Sequence, residues 1–354
     1  MGEELKKKET RVVGLDIGTG LISSTEKSEE PKKLKLRKVR DAFLKINPEE
    51  FMDGNAPQFG EKMLKKTGTH FIKLDGILYI LGDSAYEMAL ESNKTLLRPM
   101  SKGVLNPNEP VAALMVEELI KAVIGTPVND DDVVFFSIPA DPIDADYDVI
   151  YHRDTITESI RNIGYKNVHH LREGLSVIFS ELYDDNFTGL GISMGAGMAN
   201  VSYAYKGMEI LCYAVSKSGD WIDQSAAKQV NDSVSVLTYR KEAGMDIRDP
   251  KDEYEKAIAT YYKSLIEYLI KSFTHLYKKK DKRELPRLFK PIPLVISGGT
   301  SLVGGFIATF EEYLKKEKDF PIQISDVRHA SNPIYTVAHG LFQAAKLNTE
   351  LGDE

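Results

Sequence analysis

Apolar and polar residues follow each other along the chain in a pattern that predicts two α/β units, each opening with a strand pair around a glycine-rich turn. The first apolar run, residues 12–16, ends at a turn that contains Gly18 and Gly20, and a second strand resumes at residues 21–24. Residues 190–205 repeat this order of strand, turn and strand in the second half of the chain. A duplicated turn at strand ends predicts two related half-molecules that face each other.

Strands and helices alternate after both turns, which is typical of α/β domains. Further strands are predicted at residues 71–74, 77–81, 133–138, 168–171, 209–216 and 293–296. Helices are predicted at residues 83–91, 109–124, 154–163, 174–183, 220–229, 253–277, 304–315 and 334–347. The apolar stripe of helix 253–277 predicts a buried face, and Ala338 and Gly340 predict close packing of the last helix.

Length and charge narrow the class of protein. The 354 residues suffice for two domains, and 42% hydrophobic with 28% charged residues is typical of a soluble globular chain. Residues 1–10 resemble neither a secretion signal nor a membrane anchor, so we expect a cytoplasmic protein. The net charge of −7 argues against a general nucleic-acid partner. The basic runs at residues 32–40 and 278–283 are expected to be exposed loops, as is the stretch 26–35.

The single cysteine, Cys212, excludes an internal disulfide. It lies in an alternating segment, which predicts a buried and unreactive strand residue.

The glycine turns suggest a phosphate-binding chemistry. Glycine-rich hairpins let backbone amides approach an anion without a Cβ in the way, and Asp16 at a strand end could hold Mg²⁺ through water. A third glycine turn, Gly298 and Gly299, opens a helix and so offers a helix N-terminus to an anion. Three such turns in this order predict a phosphate-bearing ligand.

Five segments together resemble the actin-like ATPase superfamily, and within it the prokaryotic actins of the MreB and archaeal type. They match its first phosphate, first connecting, second phosphate, adenosine and second connecting segments, in this order: residues 13–20, 172–174, 191–201, 295–305 and 332–340. Residues 80–83, 97–104 and 218–223 are also similar to segments of the bacterial rod-shape actins.

This resemblance implies a two-lobed α/β fold in which each lobe is a mixed five-stranded sheet with flanking helices and the nucleotide lies in the interdomain cleft. We expect the first lobe at residues 1–185, with an inserted subdomain at about 38–105, and the second lobe at residues 186–326. The C-terminal helix, within residues 327–354, is expected to complete the first lobe.

The resemblance also assigns site residues for ATP or ADP and Mg²⁺. It implies that Asp16 orients magnesium-bound water and that Glu173 aligns the water that attacks the terminal phosphate. The remaining expected nucleotide contacts are Gly18, Thr19, Gly20, Ser193, Gly195, Ala196, Gly197, Gly219, Lys241, Glu242, Gly298, Gly299, Thr300 and Ser301. Among them, Lys241 and Glu242 are expected near the ribose and base. For Glu173 an alternative is a helix-start carboxylate that is favoured by the helix dipole alone.

Ser193 departs from the superfamily pattern, which usually has an aspartate there. A serine supplies no negative charge, so we expect weaker metal binding and slow ATP hydrolysis.

Three functions are compatible with these observations. The first is a cytoskeletal or cytomotive ATPase that self-associates into filaments, and the second is a non-polymerising nucleotide-binding adaptor with an unknown cargo or partner. The third is a metabolic phosphotransferase, which needs an acidic base such as one of Asp141, Asp144 and Asp146. We expect those three carboxylates to be solvated instead.

Overall fold

Two five-stranded sheets with the same strand order form the framework of the molecule. The computed structural model describes residues 10–30, 33–47, 57–92 and 94–352. The first sheet has the order β3–β2–β1–β9–β10, built from Leu34–Arg40, Leu21–Lys27, Val12–Ile17, Val133–Ile138 and Asn167–Arg172. The second has the order β13–β12–β11–β14–β15, built from Met208–Val215, Ala199–Tyr205, Gly189–Met194, Ile292–Ser297 and Ile324–His329. The expected pair of mixed five-stranded sheets is therefore confirmed.

The two sheets also agree in strand direction. In the first sheet β1 is antiparallel to β2, which is antiparallel to β3, whereas β9 runs parallel to β1 and β10 parallel to β9. The same directions relate β11, β12, β13, β14 and β15. Strands β9, β11 and β14 are buried along their whole length, as expected for strands that helices cover on both faces.

Ten helices surround the sheets in the described part of the chain. They are α1 (Pro57–Lys66), α2 (Asp83–Ser92), α3 (Ala112–Ile124), α4 (Ile150–Ile163), α5 (Glu173–Glu181), α6 (Gly219–Val230), α7 (Val234–Glu242), α8 (Glu253–Lys279), α9 (Phe306–Lys316) and α10 (Thr336–Gly352). The predicted stripe of α8 is a core face, with Ile258, Tyr262 and Leu265 buried. Helices α1 and α7 were not predicted.

A small third sheet follows the first three strands. Its order is β4–β6–β5, from Phe43–Ile46, Ile77–Leu81 and Phe71–Leu74, and a short hairpin of β7 (Met100–Ser101) and β8 (Val104–Leu105) comes after it. Because β3 pairs with β2 as far as Arg40, we propose that the inserted subdomain begins after Arg40.

The last helix, α10, packs on α5 and on β1 and β9 of the first sheet. A methyl group at Gly340 would overlap the carbonyl oxygen of Ser176 in α5, and one at Gly14 in β1 would overlap the backbone of Ala338. These glycines therefore allow close contact rather than an unusual backbone conformation. Strand β15 pairs with β14 up to His329, so we propose that the second lobe extends to that residue.

The structure of residues 26–40 contradicts two predictions, namely the exposed loops at residues 26–35 and 32–40. Strand β3, Leu34–Arg40, is an edge strand where a loop was predicted. Residues 31 and 32 lie outside the described chain. Glu26 is buried in β2, where Arg11 Nε donates to Glu26 Oε2 at 2.5 Å and Lys35 is paired with it at 3.0 Å. The edge strand escaped prediction because its alternating cations conceal the apolar period, a common property of strands that must not pair further.

The remaining expectations concern the basic run at residues 278–283, Cys212, the N-terminal segment and the membrane. Lys278 and Lys279 end α8, and the rest of that basic run is exposed or half-buried. Cys212 is half-buried in β13 beside Arg172, and burial raises the pKa of its thiol to about 12. The N-terminal segment 1–9 lies outside the described residues. Within the described chain, none of the helices has the length and apolar character needed to cross a bilayer.

Candidate functional site

The two glycine turns form facing walls of a cleft between the two sheets. In the first, the Gly18 amide donates to the Leu21 carbonyl at 3.0 Å, and in the second the Gly195 amide donates to the Met198 carbonyl at 3.0 Å. A Cβ added to Gly20 would lie 3.3 Å from the Cβ of Ala196 across the gap. The glycines at these turns have no positive φ, so they serve the close approach of the two walls.

A cavity of about 510 Å³ lies between these walls and collects most of the predicted site residues. Its lining includes Asp16, Gly18, Thr19, Gly20, Glu173, Ser193, Gly195, Ala196, Gly219, Lys241, Glu242, Gly298, Gly299 and Thr300. Residues from both halves of the sequence thus meet at one site, as the duplicated turns predict.

Two predicted residues, Gly197 and Ser301, do not line the cavity. A Cβ at Gly197 would overlap Thr19 Oγ1, and it would lie 2.7 Å from the amide nitrogen of Gly103, so this glycine joins the turns to the β7–β8 hairpin. Thr19 Oγ1 accepts from the Gly103 amide at 3.0 Å. Ser301 is fully buried and its Oγ donates to the Gly298 carbonyl at 2.8 Å. Gly197 thus serves the contact between the turns, and Ser301 stabilises the third turn from within.

Asp16 lies at the end of β1, on the floor of the cleft. Its Oδ1 accepts from Ser137 Oγ at 2.9 Å, and Ser137 in turn accepts from the Ile17 amide at 2.8 Å. Burial raises the pKa of Asp16 to about 6, although the Ser137 hydrogen bond opposes the rise. No described basic side chain pairs with this carboxylate at salt-bridge distance.

Glu173 lies at the first position of α5, opposite Asp16. Its Oε2 accepts from Ser193 Oγ at 2.9 Å, and the side chain is only 8% exposed. Burial, followed by the nearby Asp16 carboxylate, raises the pKa of Glu173 to about 8. A helix-start carboxylate that served the helix dipole alone would be solvated, whereas Glu173 is buried and faces a second acid.

A buried carboxyl, Glu173, and a half-buried one, Asp16, lie together without a basic partner among the described residues. Burial and the nearby Asp16 charge raise the pKa of Glu173, and a divalent cation would compensate the two carboxylates. The described residues contain no group of three or more His, Cys, Asp or Glu side chains that could hold a metal by themselves. This donor set fits Mg²⁺, which keeps most of its water and uses one or two carboxylates together with phosphate oxygens.

The third glycine turn is tied directly to the second. Gly298 has φ +93°, and the short 3₁₀ helix Gly299–Leu302 follows it. Thr300 Oγ1 donates to the Gly195 carbonyl at 2.8 Å, and Tyr262 of α8 donates to the Thr300 carbonyl at 2.9 Å. These bonds fix the third turn against the wall that carries Ser193.

Lys241 and Glu242 enter the cleft from the end of α7. Lys241 Nζ lies 2.7 Å from Asp223 Oδ2, and Asp223 also accepts from Thr238 Oγ1 at 2.8 Å. Because the lysine side chain is only 13% exposed in this pair, Lys241 holds α7 against α6 and offers little free charge to a ligand. Glu242 lines the cavity without that constraint.

Sequence reasoning missed several residues that the fold brings to the site. Ser137 is the one hydroxyl in the apolar strand β9, directly beside Asp16 in the sheet, and a lone polar residue at a buried strand end was the available signal. Lys38, Arg40 and Arg98 line the cavity because β3 and the inserted subdomain reach its mouth, which no local pattern indicates. Arg98 and Asp220 lie in the segments 97–104 and 218–223 that resemble the rod-shape actins, and neither was predicted as a site residue.

The acidic residues considered for a phosphotransferase do not reach the cleft. The backbone of Asp141 accepts from the Ala214 amide, and Asp144 Oδ1 accepts from the Ser216 amide at 2.7 Å. Asp146 is exposed, and none of the three lines the cavity described above. Asp141 and Asp146 are solvated as expected, whereas Asp144 fixes an edge of the second sheet.

Solved structures with the same architecture are actin-like proteins. The "MamK double helical filament" has a TM-score of 0.67 at 16% identity, covering 95% of this chain and 99% of that one. MreB5 of Spiroplasma citri bound to ADP has a TM-score of 0.65 at 12% identity, covering 98% and 99%. EutJ, an ethanolamine utilization protein from Carboxydothermus hydrogenoformans, has a TM-score of 0.52 at 13% identity, covering 94% and 88%. At these identities the likeness shows a shared fold.

No curated protein sequence matches the chain. The family described as Volactin matches residues 12–345, which include both glycine turns, Glu173 and α10 up to Ala345. The chain has the two-lobed fold of the actin-like ATPases of the MreB and MamK type, and it belongs to the Volactin family.

Proposed function

We propose that this protein binds ATP with Mg²⁺ in the cleft, assembles with copies of itself into filaments and hydrolyses ATP slowly. The observation that carries the proposal is the meeting of Asp16 and Glu173 between two glycine turns of identical hydrogen-bond geometry. Neighbours of the same fold were solved with nucleotide, namely MreB5 with ADP and with AMPPNP and a MamK mutant with AMPPNP. These neighbours support nucleotide binding here by analogy.

In this proposal the protein contributes position and charge rather than covalent chemistry. The backbone amides of the two turns hold the phosphates, and Asp16 orients water on Mg²⁺. Mg²⁺, when bound, neutralises negative charge on the phosphate oxygens. Glu173 aligns the attacking water, and Ser193 orients Glu173 through its hydrogen bond.

Slow hydrolysis follows from the position of Ser193. Its hydroxyl donates to Glu173, so the residue supplies a hydrogen bond and no charge at the wall where an aspartate was expected. Glu173 with a pKa of about 8 also holds its proton at neutral pH until a cation enters. Both features weaken activation of water without removing the phosphate-binding turns.

Self-association is supported by the two ends of the second lobe. Phe289, at 95% exposure, and exposed Met208 mark the end at which β11 and β14 begin. Exposed Val234, Val236 and Tyr239 of α7 mark the cleft end. Residues 278–290 at the first end contain seven basic and two acidic residues. Residues 232–255 at the other end contain seven acidic and four basic residues. Apolar, oppositely charged ends suit a head-to-tail contact between copies, which propagates into a filament.

Sedimentation tests this function. We expect the purified protein to pellet with ATP and Mg²⁺ and to stay in the supernatant with EDTA or without nucleotide. A protein that binds ATP but never pellets would contradict the filament and support the adaptor, the alternative that the serine at position 193 favours. Phosphate release in the same samples should be slow and should require Mg²⁺.

A further inference from the structure

An ion pair spans the mouth of the cleft and connects the two lobes. Arg98 NH1 donates to Asp220 Oδ1 at 3.0 Å and to Oδ2 at 2.9 Å, and both residues line the cavity. Arg98 belongs to the segment between α2 and the β7–β8 hairpin, whereas Asp220 lies in the first turn of α6. The contact therefore joins the inserted subdomain of the first lobe to a helix of the second.

Both partners are anchored on rigid parts of their own lobes. The residue before Arg98, Leu97, exchanges backbone hydrogen bonds with Phe43 of β4, and Asn106 donates to the Arg98 carbonyl at 3.2 Å. On the other side, the Asp220 amide donates to the carbonyl of Ala196 at 2.8 Å, within the second glycine turn. A displacement of Asp220 would therefore move the second glycine turn, which forms one wall of the phosphate site.

Arg98 pairs with Asp220 although a second acid, Asp41, lies nearby. Asp41 lies nearby and is 1% exposed, and within the described chain it forms no hydrogen bond with Arg98. Burial raises the pKa of Asp41 well above its usual range, although the charge of Arg98 opposes the rise. Asp220 makes the hydrogen bonds to the guanidinium, whereas Asp41 acts on it only through its charge, so the pair with Asp220 dominates.

Two segments of the chain connect the lobes covalently, away from this ion pair. It crosses from α5 to β11 and returns from β15 to α10, and α5 and α10 pack closely on each other. A second ion pair, Arg172 with Glu209 at 2.6 Å, starts at the residue that precedes α5. Opening of the lobes about these connections would preserve Arg172–Glu209 and would separate Arg98 from Asp220.

We propose that the Arg98–Asp220 ion pair is a latch that holds the cleft closed and slows the release of bound nucleotide. This inference rests on the proposed binding of nucleotide in the cleft. It assigns Arg98 a role in the position of the lobes, not as a ligand of phosphate.

Release of a fluorescent ADP analogue, followed by stopped flow after mixing with excess ATP, tests the latch. We expect Arg98→Gln and Asp220→Asn each to release the analogue about threefold to tenfold faster, as loss of one partly buried ion pair predicts. The double variant should be no faster than either single variant, since one contact is lost in all three. Increasing salt should accelerate the wild type and leave the variants almost unchanged.

A matched control is Arg240→Gln. Arg240 pairs with Asp252 at 2.8 Å, with side-chain exposures of 43% and 38%. These values are close to the 41% and 32% of Arg98 and Asp220. Arg240 and Asp252 both belong to the second lobe, so their ion pair does not cross the cleft. This variant should release the analogue at the wild-type rate.

Two results would overturn the latch. The first is wild-type release from both Arg98→Gln and Asp220→Asn. The second is weaker ATP binding in Arg98→Gln with unchanged binding and release in Asp220→Asn, which would make Arg98 a direct phosphate ligand.

A measurement without nucleotide separates the latch from the proposed function. Spin labels at Glu87→Cys and Ser235→Cys, exposed positions on α2 and α7, in a Cys212→Ser background report the distance across the cleft. We expect Arg98→Gln and Asp220→Asn to lengthen or broaden this distance in the nucleotide-free protein. An unchanged distribution in both variants contradicts the latch even if the protein binds no nucleotide at all.

Discussion

At the scale of single residues, the site is defined by two acids, Asp16 and Glu173, that have no basic partner at salt-bridge distance among the described residues. Ser137 of the same sheet donates to Asp16, and Ser193 of β11 donates to Glu173, so each carboxyl has one hydroxyl donor. Burial raises the pKa of Asp16 to about 6 and that of Glu173 to about 8. Near neutral pH, Glu173 therefore keeps its proton while Asp16 is largely ionised, and binding of a divalent cation should release the proton of Glu173.

The pKa of Glu173 makes the stability of the nucleotide-free protein depend on pH. Between about pH 4.5 and pH 8 the unfolded chain ionises this carboxyl while the folded chain holds its proton. Stability is therefore complete below this window and is lost as the pH rises through it. In Glu173→Gln the loss is absent, so its advantage in unfolding free energy over the wild type should grow by about 2 to 4 kcal/mol from pH 5 to pH 8.

Urea denaturation at the two pH values measures this difference. Glu87→Gln, on an exposed position of α2, is the control and should track the wild type at both pH values. A constant difference between Glu173→Gln and the wild type would show that the carboxyl ionises normally.

Replacement of Ser193 by aspartate should have opposite effects on hydrolysis and on stability. With Mg²⁺ and ATP, Ser193→Asp supplies the missing charge and should increase the rate of phosphate release about tenfold or more. Without metal, a third carboxyl beside Glu173 and Asp16 should lower the unfolding free energy by about 1 to 3 kcal/mol. Absence of any gain in rate would count against the explanation of slow turnover, and Ser193→Asn controls for size.

At the scale of elements, glycines decide where helices can approach. Gly340 of α10 meets Ser176 of α5 so closely that a methyl group has no space. Gly340→Ala should therefore lower the unfolding free energy by about 2 kcal/mol or more despite its better helix propensity. Asn348→Ala, on an exposed position of the same helix, should change it by no more than about 0.5 kcal/mol in the same urea titration. Equal stability of the two variants would contradict the close packing.

The elements differ in how well the sequence alone predicts them. The glycine turns, the buried and mostly apolar strands β9 and β14 and the amphipathic helix α8 have strong local patterns, and their boundaries agree within a few residues. The edge strand β3 and helix α7 have exposed polar or mixed faces, so their period is weak and only pairing or packing reveals them. In the site, motif residues such as Asp16 and Glu173 were found, whereas Ser137 and Arg98 depend on strands and loops brought together from distant sequence.

At the scale of the whole molecule, two similar sheets place a cleft between them and leave apolar side chains exposed at both ends of the second lobe. If these ends join copies, Phe289→Ser should abolish pelleting with ATP and Mg²⁺ and leave ATP binding unchanged. Tyr151→Ser, which removes a comparably exposed aromatic of the first lobe, is the control and should pellet normally. Normal pelleting of Phe289→Ser would exclude this end as a contact.

Nucleotide binding between the two glycine turns underlies the whole proposed function, and calorimetric titration with MgATP measures it. We expect saturable binding of one nucleotide per chain to the wild type and to Ala196→Ser. Ala196→Leu, whose side chain extends into the gap opposite Gly20, should bind at least about tenfold more weakly. Absence of binding to the wild type, or equal affinity of Ala196→Leu and Ala196→Ser, would contradict the account.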